Sequence, residues 1–379
     1  MVHRRCLLTG GLVLAALGAG TRSAPAQSQA MAPPARAGQP GPFRLEEAAR
    51  FDHQVTGVAV SPEGRVFVNF PRWAEDVPIS VAEVAKDGSL KPYPDEEWNS
   101  WRNTAASKLL PRDHFVCVQS VVADNRGNLW VLDPAAPGMD KVVSGGAKLV
   151  RIELATNKVA QVIRFGEDVA LQGSYLNDIR VHPSGDTAFM TDSGARGAIV
   201  VVDLRKGLAI PRLDGHPSTQ PEKGVEISVA GAKLRRPDGR PLQAGSDGIA
   251  LSEDGRTLFW QALTGRTLYS IETATLMSDP DEAARKVAKV GTTCIADGLL
   301  MSRDGELYLT SPEDNSIKLW TGERAESVMS DPRLSWPDSM AEGGDGSIYV
   351  TASHLHEMSW FRHGAPTVLP TELFRLVRS

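Results

Sequence analysis

The 379-residue chain is short of several features that would settle its class at once. Cysteine is scarce, with 3 residues, and Cys6 lies in a leader-like N-terminus, so Cys117 and Cys294 alone remain for the body. Two cysteines do not make the disulfide framework of a small secreted domain. The body has no basic run and the formal net charge is −5, so the electrostatic footprint of a nucleic-acid binder is missing. No apolar run reaches the ~20 residues that a membrane-spanning helix needs. No Gly-x-Ser-x-Gly elbow, P-loop or dinucleotide fingerprint occurs in a strand–helix context. His114, His182, His354 and His356 show no zinc-like spacing with cysteines or acids. What is plentiful is glycine, 35 residues, and proline, 25, which suits many short strands joined by turns.

The first residues read as a targeting segment. Arg4-Arg5 precede an apolar stretch over residues 7–19, and Ala24-Pro25-Ala26 offers small residues for cleavage. A signal peptide is expected over residues 1–26, and its arginine pair resembles the twin-arginine type. Residues 27–42, rich in Ala, Pro, Gly and Gln, read as a linker. These readings imply a periplasmic or secreted protein, without a stable membrane span once the leader is removed, and expected to be a monomer.

Residues 43–379 could form one large β domain or two average ones, and an internal repeat decides between them. Six segments share one pattern: VTGVAVSPEGRVFVNF, VQSVVADNRGNLWVLD, YLNDIRVHPSGDTAFMTDSG, DGIALSEDGRTLFWQA, DGLLMSRDGELYLTS and DSMAEGGDGSIYVTAS. In each, a polar residue (Thr56, Gln119, Asn177, Asp247, Asp297, Asp338) stands eight positions before a glycine (Gly64, Gly127, Gly185, Gly255, Gly305, Gly346). Each copy reads as a β-hairpin whose turn needs glycine for positive φ. Successive glycines are 63, 58, 70, 50 and 41 residues apart, room for four strands per unit. Six four-stranded units around an axis make an all-β, six-bladed β-propeller. Further strands are expected over 148–154, 198–204 and 267–272, with a helix over 281–289 capped by Ser278 or Asp279. Residues 43–51 and 373–377 are the candidates for closing the ring. The stretch 207–245 reads as an elaboration with a hairpin over 225–242.

The innermost strand of a propeller blade runs along the central channel. The six polar residues then form a ring at one mouth, and the ends of the second strands form an outer circle: Asn69, Asp133, Asp192, Ser193, Gln261, Ser311 and Ser353. Acids this close repel unless protonated or neutralised. Asn177, Asp247, Asp297 and Asp338 are suited to a hard cation such as Ca²⁺, while Asx-turns at the strand starts explain the same residues one at a time. Asn177, Asp192, Asp247, Asp297, Asp338 and His354 are the candidate catalytic groups. His354 and His356 come after the last second strand; a surface loop is one reading and acid–base work the other. Arg72, Trp73, Gln119, Ser193, Gln261 and Ser311 are the candidate substrate contacts. For Arg72 and Trp73, holding an anionic aromatic substrate and buttressing a loop are evenly matched.

TGVAVSPEGRVFVNFPRW, the next segments SVAEV and DGSLKPYPDEEWNSW, and GSDGIALSEDGRTLFWQALTGRTLYSI resemble bacterial members of the major royal jelly protein/yellow family, over roughly residues 43–379. The resemblance implies a six-bladed propeller acting on or binding a small molecule. Dopachrome conversion, aromatic-amine binding and secretion as storage proteins all occur among such relatives. Asn177 and the Asp-Gly repeats also resemble gluconolactonase-like propellers, which hold a divalent cation, although Thr56 stands where their first blade carries Glu. Three functions therefore stay open: a dopachrome-tautomerase-like isomerase, a metal-dependent lactonase-like hydrolase, and a non-catalytic binder of aromatic amines. No organic cofactor is implied.

Overall fold

The computed structural model describes residues 43–73, 76–139 and 141–378. The signal-peptide and linker readings lie outside them. The strands assemble into six four-stranded antiparallel sheets, the blades of one propeller. The inner strands are Val58–Val60, Ser120–Ala123, Leu176–Val181, Ser246–Leu251, Leu299–Met301 and Pro337–Glu342, and each neighbours the next in a closed cycle. Five blades are built from four consecutive strands. The sixth takes its outermost strand from the other end of the chain: Phe43–Phe51 pairs antiparallel with Thr371–Arg378.

The hairpin turns arise from the glycines, since all six adopt φ between 73° and 84°, a region that a Cβ disfavours. The expected strands are found at Lys148–Glu153, Ala198–Asp203 and Thr267–Glu272. The helix spans Pro280–Lys286, with the Asp279 carboxylate accepting from the backbone N–H of Asp281 and Glu282. One boundary differs from expectation. Residues 207–245 are not wholly an insertion, because Leu208–Arg212 completes blade 3 as its outer strand. The remainder of that stretch holds a short 3-10 helix, Pro217–Thr219, a minimal hairpin, Ser228–Val229 with Ala232–Lys233, and a bridge between Arg235 and Pro241. Cys117 and Cys294 are buried, free thiols. Among the described residues no helix is long and apolar enough to cross a membrane.

The Asp-Gly pairs of blades 4 and 5 have a packing cause that turn chemistry does not supply. A Cβ on Gly298 would lie 2.2 Å from the Asp338 carbonyl oxygen, and one on Gly248 would lie 2.6 Å from that of Asp297. Glycine after the ring residue thus lets one inner strand lie against the backbone of the next. Gly298→Ala is expected to destabilise the fold by about 1–3 kcal/mol, because backbone cannot swing aside as a flexible side chain does. Chemical denaturation checks this, and an unchanged midpoint would contradict the close approach.

Candidate functional site

The ring residues sit where the inner strands leave regular pairing. Register shifts fall between Leu176 and Ile179, Ser246 and Ile249, and Pro337 and Met340, bracketing Asn177, Asp247 and Asp338. Such bulges re-aim side chains and free backbone N–H groups from the ladder. Threonines near the ends of the second strands satisfy those groups. The Thr191 hydroxyl accepts from Asp178 N (3.1 Å) and donates to the Asp247 carbonyl of the next blade (2.7 Å). The Thr351 hydroxyl accepts from Ser339 N (3.1 Å) and donates to the Thr56 carbonyl (2.6 Å). The Thr310 hydroxyl accepts from Asp297 N and Gly298 N. These threonine side chains thereby tie the backbone of Thr56, Asp247 and Asp297 to their own blade or its neighbour.

All six ring residues are buried, between 0% and 9% exposed. On one side the ring is neutral. Gln119 Nε2 donates to Asn177 Oδ1 (2.9 Å), Asn177 Nδ2 donates to Ser193 Oγ (3.2 Å), and Asn69 Nδ2 donates to Thr56 Oγ1 (2.9 Å). On the other side stand Asp247, Asp297 and Asp338. Burial pushes Asp297 up to about 6, even though the Trp336 indole N–H (2.6 Å to Oδ2) and Asp247 both hydrogen-bond to it. Asp247 and Asp338 are raised well above the carboxylate range, by burial first and then by the charge of Asp297. Asp247 and Asp297 are hydrogen-bonded to each other, so the pair shares a proton. Asp178, deeper in the channel, adds to all three shifts. It pairs with Arg180 (2.9 Å) and accepts from the Ser120 hydroxyl (2.8 Å). Arg180 also donates to the Leu299 carbonyl of blade 5 (2.7 Å), above a cavity of about 600 Å³ at the far mouth.

A carboxyl group ordinarily titrates near pH ~4, so Asp297 binds its proton more tightly folded than unfolded. Its contribution to stability is complete below pH ~4 and is lost as pH rises through about 6. Asp247 and Asp338 act in the same sense. Denaturation midpoints are expected to fall more steeply across this window in the parent chain than in Asp297→Asn. Parallel profiles would contradict the raised value.

The outer circle is structural in its contacts. The Asp192 carboxylate accepts from Ser174 Oγ, Tyr175 N and Gly194 N, and burial raises its pKa. Asp133 accepts from Val116 N, Cys117 N and Ala135 N and pairs with Lys148 at 2.8 Å, both side chains fully buried. Lys148 also donates to the carbonyls of Pro111 and Gly146. Gln261 Nε2 donates to the Cys294 and Gly265 carbonyls, while Ser311 is buried beside Cys294 and Asp314. Ser353 donates to the Trp336 carbonyl.

Arg72, for which anion holding and loop buttressing were evenly matched, is fully buried. Its guanidinium donates to the carbonyls of Val77, Phe115 and Asn99, so the buttressing role is the one its geometry supports. His354, expected as an acid–base candidate, is clamped between Glu372 (3.0 Å) and Glu357 (3.2 Å) of its own blade rather than turned to the ring. His356 comes nearer: it stacks on Trp336 at 5.9 Å, and Trp336 is the donor to Asp297. Burial lowers the His356 pKa.

The mouth is roofed. Ile227, Val229 and Leu234 from the small hairpin pack with Leu355 and Met358 of the last loop and with Trp336 and Ile295 just ahead of the ring. Within this cap lies a cavity of about 370 Å³ whose walls include Trp73, Met139, Met358, Trp360 and His363. Trp73 joins cavity to ring. Its indole N–H donates to the Tyr175 hydroxyl (2.6 Å), which donates to Gln119 Oε1 (2.8 Å), the ring neighbour of Asn177. Tyr175, Asp178, Trp336 and the cap escaped the repeat pattern, because each lies one or two residues from a ring position or on an irregular loop.

The donor set does not fit the Ca²⁺ expected at Asn177, Asp247, Asp297 and Asp338. Among the described residues no three His, Cys, Asp or Glu side chains are placed to hold one ion. Asn177 Oδ1 accepts from the Gln119 amide and Asp297 Oδ2 from the Trp336 indole N–H, so two of the four residues already have one oxygen engaged by the protein.

Solved structures share the architecture. A luciferin-regenerating enzyme aligns with 88% of this chain and 95% of its own, at a TM-score of 0.56 and 10% identity. A gluconolactonase from Xanthomonas campestris aligns with 91% and 94%, at 0.53 and 12%. The calcium-binding protein regucalcin from Agrobacterium tumefaciens aligns with 89% and 94%, at 0.50 and 14%. At such identities the likeness shows the fold alone. Major royal jelly protein 5 of Apis mellifera is 23% identical over 273 residues, 68% of this chain but only 42% of that protein's length. The major royal jelly protein family profile matches residues 116–363, well over half of the sequence, and the chain belongs to that family.

Proposed function

We propose that this protein binds a small, flat, largely apolar molecule beneath its cap and moves a proton on it, an isomerase-type reaction of the dopachrome-tautomerase kind. The observation that carries the reading is the buried Asp247–Asp297 pair, both carboxyls pushed up by burial, with Trp336, the donor to Asp297, packed against the apolar cap. A tautomerisation removes one proton and returns one. Asp297, as carboxylate, takes the proton from the carbon acid, and Asp247 delivers its own to the substrate. Transfer through their shared hydrogen bond then restores the pair, and no proton is gained or lost. A group titrating near the working pH is the efficient one for such exchange. Trp73 and Trp360 supply flat apolar surface for an aromatic ring. We place the protein in the periplasm or outside the cell, on its leader-like N-terminus.

The test is a turnover and binding screen of dopachrome-like quinones, lactones and aromatic amines, run with and without a chelator. Metal-independent isomerisation supports the proposal. Lactone hydrolysis that stops with the chelator and returns with Ca²⁺ would replace it by the hydrolase reading. Saturable binding without turnover would leave a carrier.

A further inference from the structure

We propose that Trp336 is the positioning residue of the buried acid pair: its indole N–H selects Asp297 as the acid that stays ionised and leaves the shared proton with Asp247. The use of that selection in catalysis rests on the isomerase reading above. Trp336 stands two positions before Asp338, at the start of blade 6, and reaches back to blade 5, where its Nε1 lies 2.6 Å from Asp297 Oδ2. Tyr175, two positions before Asn177, reaches back in the same way to Gln119 of blade 2 (2.8 Å). The two differ as donors. A phenol hydroxyl donates or accepts, and Tyr175 does both, accepting from Trp73. An indole N–H only donates, so it favours the ionised form of the carboxyl it faces over the protonated one.

Repulsion does not make this choice. Asp297 is faced by Asp247 of blade 4, Asp338 of blade 6 and Asp178 of blade 3, the last paired with Arg180. Buried acids this close keep a proton among them, but like charges do not say where. Asp338 has the hydroxyls of Ser353 and Ser339, which turn to suit either form, and Asp247 has Asp297. Among the described side chains, Asp297 alone of the three ring acids faces a donor that cannot reverse. That donor is fixed in place. The Trp336 side chain is fully buried, stacks on His356 at 5.9 Å and 20°, and packs with Leu355 and Met358 of the last loop. Its carbonyl accepts from Ser353 N (3.0 Å), and its backbone holds φ at 55°, which a bulky residue rarely adopts. Such outliers persist where the surroundings impose them, and they cluster at working sites.

NMR of aspartate labelled at the carboxyl carbon tests the assignment on the full mature chain without ligand, with Asp297→Asn and Asp247→Asn identifying the two resonances. In the parent chain Asp297 is expected to lose its proton at lower pH than Asp247. In Trp336→Phe its midpoint should rise by about one pH unit, the scale of a hydrogen bond to a charged group. Benzothienylalanine in place of Trp336 keeps the two-ring shape but has sulfur where the N–H was, and it should give the same rise with the packing retained. An Asp297 midpoint that stays put in both variants, or an Asp247 that ionises first in the parent chain, would overturn the assignment. Turnover gives a second readout. On dopachrome-like quinones the benzothienyl variant should lower kcat about tenfold, keep KM within a few-fold, and move the rate–pH profile upward with the NMR midpoint. No turnover of these quinones, or full activity in Asp297→Asn, would overturn the isomerase reading while the NMR result keeps the assignment.

Discussion

Asp297→Asn is expected to lower turnover by about 10²–10⁴-fold while leaving binding in the cap within a few-fold of the parent, since a general acid–base group contributes on that scale. The amide keeps the shape and can still accept from the Trp336 indole, so the mouth is not disrupted. It cannot take a proton from carbon. Asp247→Asn should give a loss of similar order by removing the returning proton, and the double variant should be little worse than either single one, because the pair acts as a unit. The parent rate should titrate with an apparent value near 6 that belongs to the pair, as Asp297 and Asp247 are joined by one hydrogen bond. The measurement is the steady-state rate against pH with whichever compound the screen identifies. Full activity in Asp297→Asn would end the isomerase reading and leave the ring a structural device.

The largest effect on stability is expected at Lys148. Replacing it with Met keeps most of the aliphatic volume but leaves the buried Asp133 carboxylate without its ion-pair partner, with only the charge of Arg72 in reach. Removing one partner of a buried pair costs about 3–5 kcal/mol. Three backbone N–H groups still reach Asp133, which places the result toward the lower end. Adding Asp133→Asn to Lys148→Met should recover part of the loss, because the stranded charge is gone. Equilibrium denaturation of the four chains gives the cycle. A double variant less stable than Lys148→Met alone would show that Asp133 matters chiefly as an acceptor of backbone N–H groups. The pair also steadies the cap at a distance, since the loop after Asp133 carries Met139 to the cavity wall.

The fold was legible because a propeller repeats. The eight-residue offset between ring residue and turn glycine is imposed by strand length and hairpin geometry, so six copies display it whatever else their sequences carry. The site was legible only in part. Thr56, Gln119, Asn177, Asp247, Asp297 and Asp338 converge because repetition places them, but which of them share protons or bind amides depends on neighbours such as Trp336 and Tyr175 that repeat in no blade. Arg72 illustrates the limit. Its position after a second strand places it at the mouth end, while its contacts with three carbonyl groups come from residues up to Phe115, across a loop of irregular structure. Sequence spacing encodes the frame, and loop packing decides the chemistry.

The strand Phe43–Phe51 waits for Thr371–Arg378, more than three hundred positions later in the chain. The ring cannot lock until both strands are present. Until then the sixth sheet lacks two of its four strands and an open edge stays available for wrong pairing. Long-range pairing of this kind also makes folding slow for the size of the domain. The consequence is a molecule without a useful partial form. Removing Thr371–Arg378 would strip a pairing partner from Phe43–Phe51 and from Ile348–Ala352 at once.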